Sequence, residues 1–198
     1  MNKEFWDERY NEENFAYGHE PNVLLKEILD KLPPGKILLP AEGEGRNAVY
    51  AASKGWQVNA FDISEAGKRK AEKLAKESKV TILYEINSFE TYSAPENSFD
   101  CIAMVFTHLP KGIRQTNFRK LLSFLKSGGM LIVIGFSKNQ LGKSSGGPKD
   151  IDMLFSEEQL RNDFGIMKNI RIEKWDMELK EGKYHEGIGS LIQLTAIK

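Results

Sequence analysis

Short apolar runs alternate with longer amphipathic segments along the chain. The strand-like runs lie at residues 37–40, 57–62, 80–86, 99–106 and 130–136. The run at 99–106 is nearly all apolar, which is typical of a central strand that is buried on both faces. Two further runs, 167–179 and 184–197, flank Gly182 and predict a closing pair of antiparallel strands.

Helical spacing of apolar residues recurs between these runs. Ala71, Leu74 and Ala75 form a stripe among lysines, and Ser64 can cap the start of that helix. The other predicted helices cover residues 4–10, 23–32, 46–53, 111–125 and 158–164. Strand runs that alternate with helices indicate one α/β domain, in which helices cover a mostly parallel sheet.

Composition narrows the class of protein. The 198 residues contain 28 basic and 28 acidic side chains, and a net charge of zero argues against a nucleic-acid partner. No apolar run approaches the roughly 18 residues of a membrane span. The first 14 residues lack the apolar core of a signal peptide, so we expect a cytosolic protein without a membrane partner. The single cysteine, Cys101, lies in the most apolar run, where we expect it to be buried.

A turn rich in small residues follows the first strand and precedes a helix. Glycines in such a turn let the backbone approach a ligand closely, which a Cβ atom would block. Free N–H groups at the helix start favour a negative or electron-rich ligand group. A purely geometric turn would have the same composition, so this turn alone does not identify a ligand. Its residues are Ala41, Glu42, Gly43, Glu44 and Gly45.

Polar residues also end the second and third strands. Asp62 lies 17 residues after Gly45, close to the position at which an acidic residue binds ribose hydroxyls in Rossmann-type units. Asp62 could equally cap the helix that begins after Ser64, and the two roles are compatible. Asn87 and Ser88 end the third strand, where an amide could bind an adenine edge. Phe89 could flank the adenine ring or belong to the core.

The segment 37–64 resembles the S-adenosylmethionine (SAM) binding half of class I methyltransferases. Its GEGRN run at residues 43–47 is similar to that of the tellurite-resistance and thiopurine methyltransferase subgroup. The FWDERY run at residues 5–10, followed by YG at 17–18 and PN at 21–22, resembles the N-terminal lid of that subgroup. Further matches are FD at 99–100 and LKSGG at 125–129, so the resemblance spans roughly residues 5–137.

The resemblance implies a Rossmann-like three-layer sandwich with a seven-stranded, mostly parallel sheet and a C-terminal antiparallel pair. It implies lid helices within residues 1–35, a core at 36–198 and SAM as the cofactor. Besides the residues already named, it implies cofactor contacts from Tyr17, Asn47, Ile63 and Phe106.

Two positions depart from the family pattern. Leu39 stands where the family has an acid on the first strand, and Ala41 replaces the first glycine. Either Glu42 or Glu44 could replace the missing acid and hold the amino group of SAM. Asn87 stands where an Asp is common in the family, and its carbonyl oxygen can still bind an adenine amino group.

Methyl transfer from a sulfonium is an in-line displacement, so alignment and desolvation can supply most of the catalysis. A general base is needed only if the acceptor must lose a proton. His108 follows the fourth strand and is the best candidate for that base, although it could simply help to form a turn. The three histidines and one cysteine are too dispersed for a metal site.

These observations predict a methyltransferase that acts on a small-molecule acceptor, such as a thiol or a metalloid oxyanion. The alternatives are a non-catalytic SAM-binding protein and, less favoured, an NAD(P)-dependent oxidoreductase. The loop at 137–150 could cover the acceptor or be a mobile surface loop. We expect no nucleic-acid partner, and either a monomer or a homodimer.

Overall fold

The structure is a computed structural model and describes residues 2–198. Its helices are α1 (Lys3–Tyr10), α2 (Val23–Leu29), α3 (Arg46–Ser53), α4 (Glu65–Glu77), α5 (Lys111–Phe124) and α6 (Glu157–Phe164). Its strands are β1 (Lys36–Pro40), β2 (Gln57–Asp62), β3 (Leu83–Ile86), β4 (Phe99–Val105), β5 (Leu125–Phe136), β6 (Lys168–Lys180) and β7 (Glu186–Ile197).

The strands form one seven-stranded sheet in the order β3-β2-β1-β4-β5-β7-β6. Strands β1, β2 and β3 pair in parallel, as do β4 and β5. Strand β7 runs antiparallel to both of its neighbours, β5 and β6. This confirms the predicted Rossmann-like α/β fold with its antiparallel C-terminal pair.

The chain divides into two compact units by backbone proximity. The first unit runs to Ser93 and also includes Glu181–Lys183, which belong to the connection between β6 and β7. The second unit contains Ala94–Lys180 and Tyr184–Lys198. The assignment of residues 1–198 to a single domain stays a prediction.

In the first unit, helix α4 packs closely on the turn after β1. The Ser64 hydroxyl accepts a hydrogen bond from the Gly67 N–H at 3.0 Å, so the predicted cap is present. A Cβ atom on Gly67 would lie 2.8 Å from the Gly43 carbonyl oxygen. A Cβ atom on Gly45 would lie 2.4 Å from the Cβ atom of Ala71. Small residues on both sides therefore allow the helix to approach the turn.

In the second unit, the apolar strand β4 is buried along most of its length. Cys101 is fully buried there, as its position in the sequence predicts. Helices α5 and α6 are joined by an ion pair in which Arg114 Nε lies 2.7 Å from Asp163 Oδ2. Ser156 and Gln159 form a reciprocal capping box that begins α6.

The boundaries of several elements differ from the sequence prediction. The third strand begins at Leu83 rather than at residue 80, because the Val80 N–H still bonds to the Ala75 carbonyl at the end of α4. The fifth strand begins at Leu125, directly after α5, because Leu125 is the register partner of Phe99. No helix within residues 2–198 is long and apolar enough to cross a membrane.

Candidate functional site

The turn between β1 and α3 has an alternating left-handed backbone. Its φ angles are 51° at Ala41, 63° at Gly43 and 86° at Gly45. Glycine adopts this region freely, whereas alanine does so with strain. Gly45 is the N-cap residue of α3 and offers no side-chain acceptor to the first turn of that helix. The helix therefore needs an acceptor from elsewhere.

Glu42 supplies that acceptor. Its Oε1 atom accepts hydrogen bonds of 2.8 Å from the backbone N–H groups of both Asn47 and Ala48. Its Oε2 atom accepts a bond of 3.3 Å from the Asn47 amide. Burial raises the pKa of Glu42 to about 7, although these donors favour the charged form. Leu39 on β1 is fully buried and apolar, whereas Glu42 places a buried acid inside the turn.

Glu44 bonds to a different part of the first unit. Its Oε2 atom accepts a hydrogen bond of 2.8 Å from the Ala16 N–H, and its Oε1 atom lies 2.8 Å from the Lys70 ammonium. Burial raises the pKa of Glu44 even beside this cation. Both carboxylates that the sequence offered for the amino group of SAM are thus bonded to the chain itself.

Asp62 joins the end of β2 to the turn. Its Oδ2 atom accepts from the Gly43 N–H at 3.1 Å, and its Oδ1 atom accepts from the Ser64 N–H at 2.9 Å. Burial raises the pKa of Asp62 to about 6. The Asp62 carbonyl accepts from the Asn87 N–H at 2.9 Å, which brings the end of β3 beside it.

The residues after β3 are half-buried and form a local turn. The Asn87 amide donates to Glu85 Oε2 at 3.0 Å, and its carbonyl oxygen accepts from the Thr91 hydroxyl at 3.2 Å. The Ser88 N–H bonds to the same hydroxyl at 3.0 Å. The Phe89 ring meets the Phe61 ring edge-on, with centroids 5.4 Å apart, so it has a core contact as well as a partly open face.

The N-terminal residues pack on the turn. A Cβ atom on Gly43 would lie 2.7 Å from the Tyr10 hydroxyl, and Trp6 stacks on Tyr10 with ring centroids 5.4 Å apart. The Tyr17 hydroxyl accepts a hydrogen bond of 2.8 Å from Arg9. The segment that resembles a lid therefore lies against the glycine turn.

The sequence did not identify Arg46 as a site residue, although it lies within the GEGRN run. Its Nη1 atom donates to the Tyr17 carbonyl at 2.9 Å, and its Nη2 atom lies 3.0 Å from Glu181 Oε2. The neighbouring Asn47 accepts from the Asn22 N–H at 2.9 Å. These two side chains connect the start of α3 to the N-terminal segment.

In the second unit, aromatic rings gather where β4 ends. Phe106 has a left-handed backbone with a φ angle of 53°. Its ring centroid lies 4.3 Å from that of His185 and 4.8 Å from that of Phe136. The nearby loop at 137–150 is anchored by Gln140, whose buried side chain donates to Ser145 and Gly146 and accepts from the Ser190 N–H. These bonds attach residues 140–146 of the loop to β7.

His108, the predicted candidate for a general base, is hydrogen-bonded to the backbone through both ring nitrogens. Its Nδ1 atom lies 2.8 Å from the Met153 carbonyl, and its Nε2 atom accepts from the Phe136 N–H at 3.1 Å. The ring is stacked against Phe136 and Phe155. Burial lowers the pKa of His108 to about 4. A base needs a free lone pair, and both nitrogens of this ring already serve to hold the chain.

Among residues 2–198 no group of three or more His, Cys, Asp or Glu side chains is arranged to hold a metal ion. The described residues instead form a glycine turn after β1, with polar groups at the ends of β1, β2 and β3. Such strand ends are where parallel α/β sheets bind their ligands.

Comparisons with known proteins concern the family profile and the fold. The sequence profile of a methyltransferase-domain family matches residues 37–129. No curated protein matches the chain at a significant level.

Solved structures share the fold across nearly the whole chain. TehB from Haemophilus influenzae is 16% identical, with a TM-score of 0.73 over 99% of this chain and 66% of that one. Phosphoethanolamine N-methyltransferase 2 from Haemonchus contortus, in complex with phosphomonomethylethanolamine and S-adenosylhomocysteine, is 17% identical, with a TM-score of 0.71 over 98% of this chain and 56% of that one. A protein that converts a disulfide into a thioacetal in echinomycin biosynthesis is 15% identical, with a TM-score of 0.79 over 98% of this chain and 91% of that one. Identities at this level establish a shared fold.

Proposed function

We propose that the chain is a class I SAM-dependent methyltransferase that methylates a small-molecule acceptor, because the profile of a methyltransferase-domain family matches residues 37–129. The observation that carries the cofactor site is the direct bonding of three strand ends. The Gly43 N–H donates to the Asp62 carboxylate, and the Asn87 N–H donates to the Asp62 carbonyl. Groups at consecutive strand ends can bind methionine, ribose and adenine in turn.

In this proposal Asp62 binds the ribose hydroxyls, because a carboxylate has more acceptor sites than its bonds to Gly43 and Ser64 occupy. Asn87, Ser88 and Phe89 bind the adenine. Ile63 lies next to Asp62 and is half-buried, which suits an apolar contact with the nucleoside.

The turn itself holds the methionine end of the cofactor. Gly43 and Gly45 permit close approach of the backbone, and Ala41 extends the same left-handed pattern. Glu42, Glu44 and Asn47 shape the turn through their bonds to α3 and to the N-terminal segment. Contacts from Tyr17 and Phe106 stay predictions of the same proposal.

The reaction needs little from the protein beyond alignment. The sulfonium makes its methyl carbon electrophilic, the acceptor lone pair forms the new bond, and the electron pair of the broken bond stays on sulfur. Because His108 is already bonded through both nitrogens, we assign no general base. This favours an acceptor that attacks without losing a proton first, such as a thiolate or a metalloid oxyanion. The small molecule in the Haemonchus complex supports an acceptor of modest size.

Calorimetry with SAM and S-adenosylhomocysteine tests the cofactor site. We expect binding of one molecule per chain, and no heat at millimolar ligand would contradict the proposal. A panel of thiols, metalloid oxyanions and amines with methyl-labelled SAM then tests the acceptor class. We expect label in a thiol or an oxyanion, whereas label in amines alone would contradict this choice of acceptor.

A second candidate is a non-catalytic SAM-binding protein. The apolar Leu39 in place of the family's acid favours it, together with the engagement of both turn carboxylates. SAM binding without methylation of any acceptor in the panel would support it. A cytosolic location, the absence of nucleic-acid and membrane partners, and a monomeric or homodimeric state stay predictions.

A further inference from the structure

Three residues near the C-terminal end of the chain belong to the first unit, which otherwise ends at Ser93. Glu181–Lys183 belong to the connection between β6 and β7, and they lie against the segment between α1 and α2, residues 11–22, which we term the lid segment. Glu181 Oε1 accepts a hydrogen bond of 2.8 Å from the Asn22 amide. Its other carboxylate oxygen lies 3.0 Å from Arg46 Nη2.

The fit at Gly182 is tight. Its φ angle is 77°, and a Cβ atom there would lie 2.6 Å from the Gly18 backbone nitrogen and 2.7 Å from the Ala16 carbonyl oxygen. No real Cβ contact is this short, so any side chain at this position would push the connection away from the lid segment. The glycine therefore permits direct backbone contact between Gly182 and the lid segment.

Arg46 links this contact to the glycine turn. It is the first residue of α3, directly after Gly45, and its other guanidinium nitrogen donates to the Tyr17 carbonyl of the lid segment. The side chains of Arg46 and Glu181 are only 8% and 12% exposed. A buried guanidinium without its carboxylate is costly, so removal of the carboxylate favours withdrawal of Arg46 towards water.

The middle and the end of the lid segment are also bonded to the turn and its helix. The Ala16 N–H donates to Glu44, and the Asn22 N–H donates to Asn47. Glu181 adds a charged partner for Arg46 at 3.0 Å. Glu181, far outside the cofactor motif, therefore contacts both the lid segment and α3.

We propose that Glu181 is a positioning residue that holds the lid segment closed against the glycine turn and so slows the release of bound SAM. This rests on the proposed function, because it assumes that the turn binds SAM. A segment that must open before release sets the dissociation rate through the stability of its closed state. Gly182 contributes by allowing the close approach of backbones.

The dissociation rate of labelled SAM, chased with an excess of S-adenosylhomocysteine, tests the proposal in two variants. Glu181→Gln removes the charge and keeps an acceptor for Asn22, while Gly182→Ala separates the connection from the lid segment and keeps the ion-pair groups. We expect each variant to raise the dissociation rate about tenfold, with one site per chain retained.

Gly128→Ala is the matched control. Gly128 has a φ angle of 78°, almost that of Gly182, but a Cβ atom there would meet nothing within 4 Å. It carries the same backbone strain without the clash, so we expect a dissociation rate within about twofold of the wild type. Thermal unfolding of all three variants without ligand separates loss of stability from loss of closure.

The outcomes distinguish the two proposals. Wild-type protein that fails to retain SAM would overturn the proposed cofactor site. A second outcome is that the wild type binds SAM while the folded variants Glu181→Gln and Gly182→Ala release it at the wild-type rate. This would overturn the role of Glu181 and leave the cofactor site intact. An equal rise in Gly128→Ala would show a general effect of stability and would also overturn that role.

Discussion

Carboxyl groups around the glycine turn bond to backbone N–H groups that would otherwise lack acceptors. Glu42 caps α3 from within the turn, and Asp62 bonds to Gly43 across the strand ends. Both are buried, and burial raises the pKa of each. Their geometry stabilises the turn, while their charge opposes folding at neutral pH.

Replacing Glu42 by Gln should therefore change how stability depends on pH. Folding raises the pKa of Glu42 from its ordinary value of 4.5 to about 7, so the folded state binds the proton more tightly than the unfolded state. Wild-type stability then falls as pH rises through this window. Between pH 4.5 and pH 7, we expect the free energy of unfolding of Glu42→Gln to rise by roughly 3 kcal/mol relative to that of the wild type.

Urea unfolding at several pH values measures this difference. The raised pKa of Asp62 affects both proteins alike, so it cancels in the comparison. Parallel stability curves for the two proteins would contradict a raised pKa at Glu42.

Ala41 has a φ angle of 51°, a left-handed conformation that costs a residue with a Cβ atom about 1–2 kcal/mol. Glycine removes that strain and costs about 0.5–1 kcal/mol in backbone entropy. We expect Ala41→Gly to stabilise the protein by about 0.5–1 kcal/mol in urea unfolding. Ala48→Gly, within α3, is the control and should destabilise it by about 1 kcal/mol. Equal destabilisation by both changes would contradict strain at Ala41.

At the scale of elements, helix α4 can lie close to the glycine turn because its first turn has a capping residue and a glycine. Ser64 caps it, and the glycine at residue 67 leaves room for the Gly43 carbonyl. The Tyr84 hydroxyl of β3 donates to the same carbonyl at 2.5 Å. The helix, the turn and the strand therefore meet around one peptide group.

A methyl group at this meeting point should force the helix away. Gly67→Ala would place its Cβ atom 2.8 Å from the Gly43 oxygen and 3.1 Å from Tyr10. We expect a loss of about 1–3 kcal/mol in urea unfolding, despite the better helix propensity of alanine. Gly112→Ala in α5 meets nothing within 4 Å and should be neutral or stabilising. A stabilised Gly67→Ala would show that α4 has more room than the contacts indicate.

At the scale of the whole molecule, the cofactor is expected to stabilise the folded chain. A ligand at a hundredfold excess over its dissociation constant contributes about 2.7 kcal/mol. For a protein of 198 residues we expect a rise of about 5–10 °C in the unfolding midpoint with SAM. Asp62→Ala should lose most of this rise at the same SAM concentration, because it removes the acceptor for the ribose. Differential scanning fluorimetry measures both, and an unchanged rise in Asp62→Ala would show that the ribose binds elsewhere.

Local patterns in the sequence were sufficient to predict much of the fold and part of the candidate site. The order of strands and helices, the Ser64 cap and the burial of Cys101 all follow from spacing and residue type. The glycine turn is equally local, because left-handed backbone and close approach are properties of the residues themselves. The predicted boundaries at residues 80 and 130 failed because hydrogen bonds from the neighbouring helix and strand decided them.

Only the tertiary structure decided which polar groups already form hydrogen bonds or ion pairs within the chain. His108 bonds to the backbone of Met153 and Phe136, and Arg46 pairs with Glu181, which lies 135 residues further along the chain. The chain by itself determined which residues could act as acids, bases and ligands, since that is a matter of side-chain chemistry. Which of them keep a free lone pair depends on partners that only folding brings within hydrogen-bonding distance.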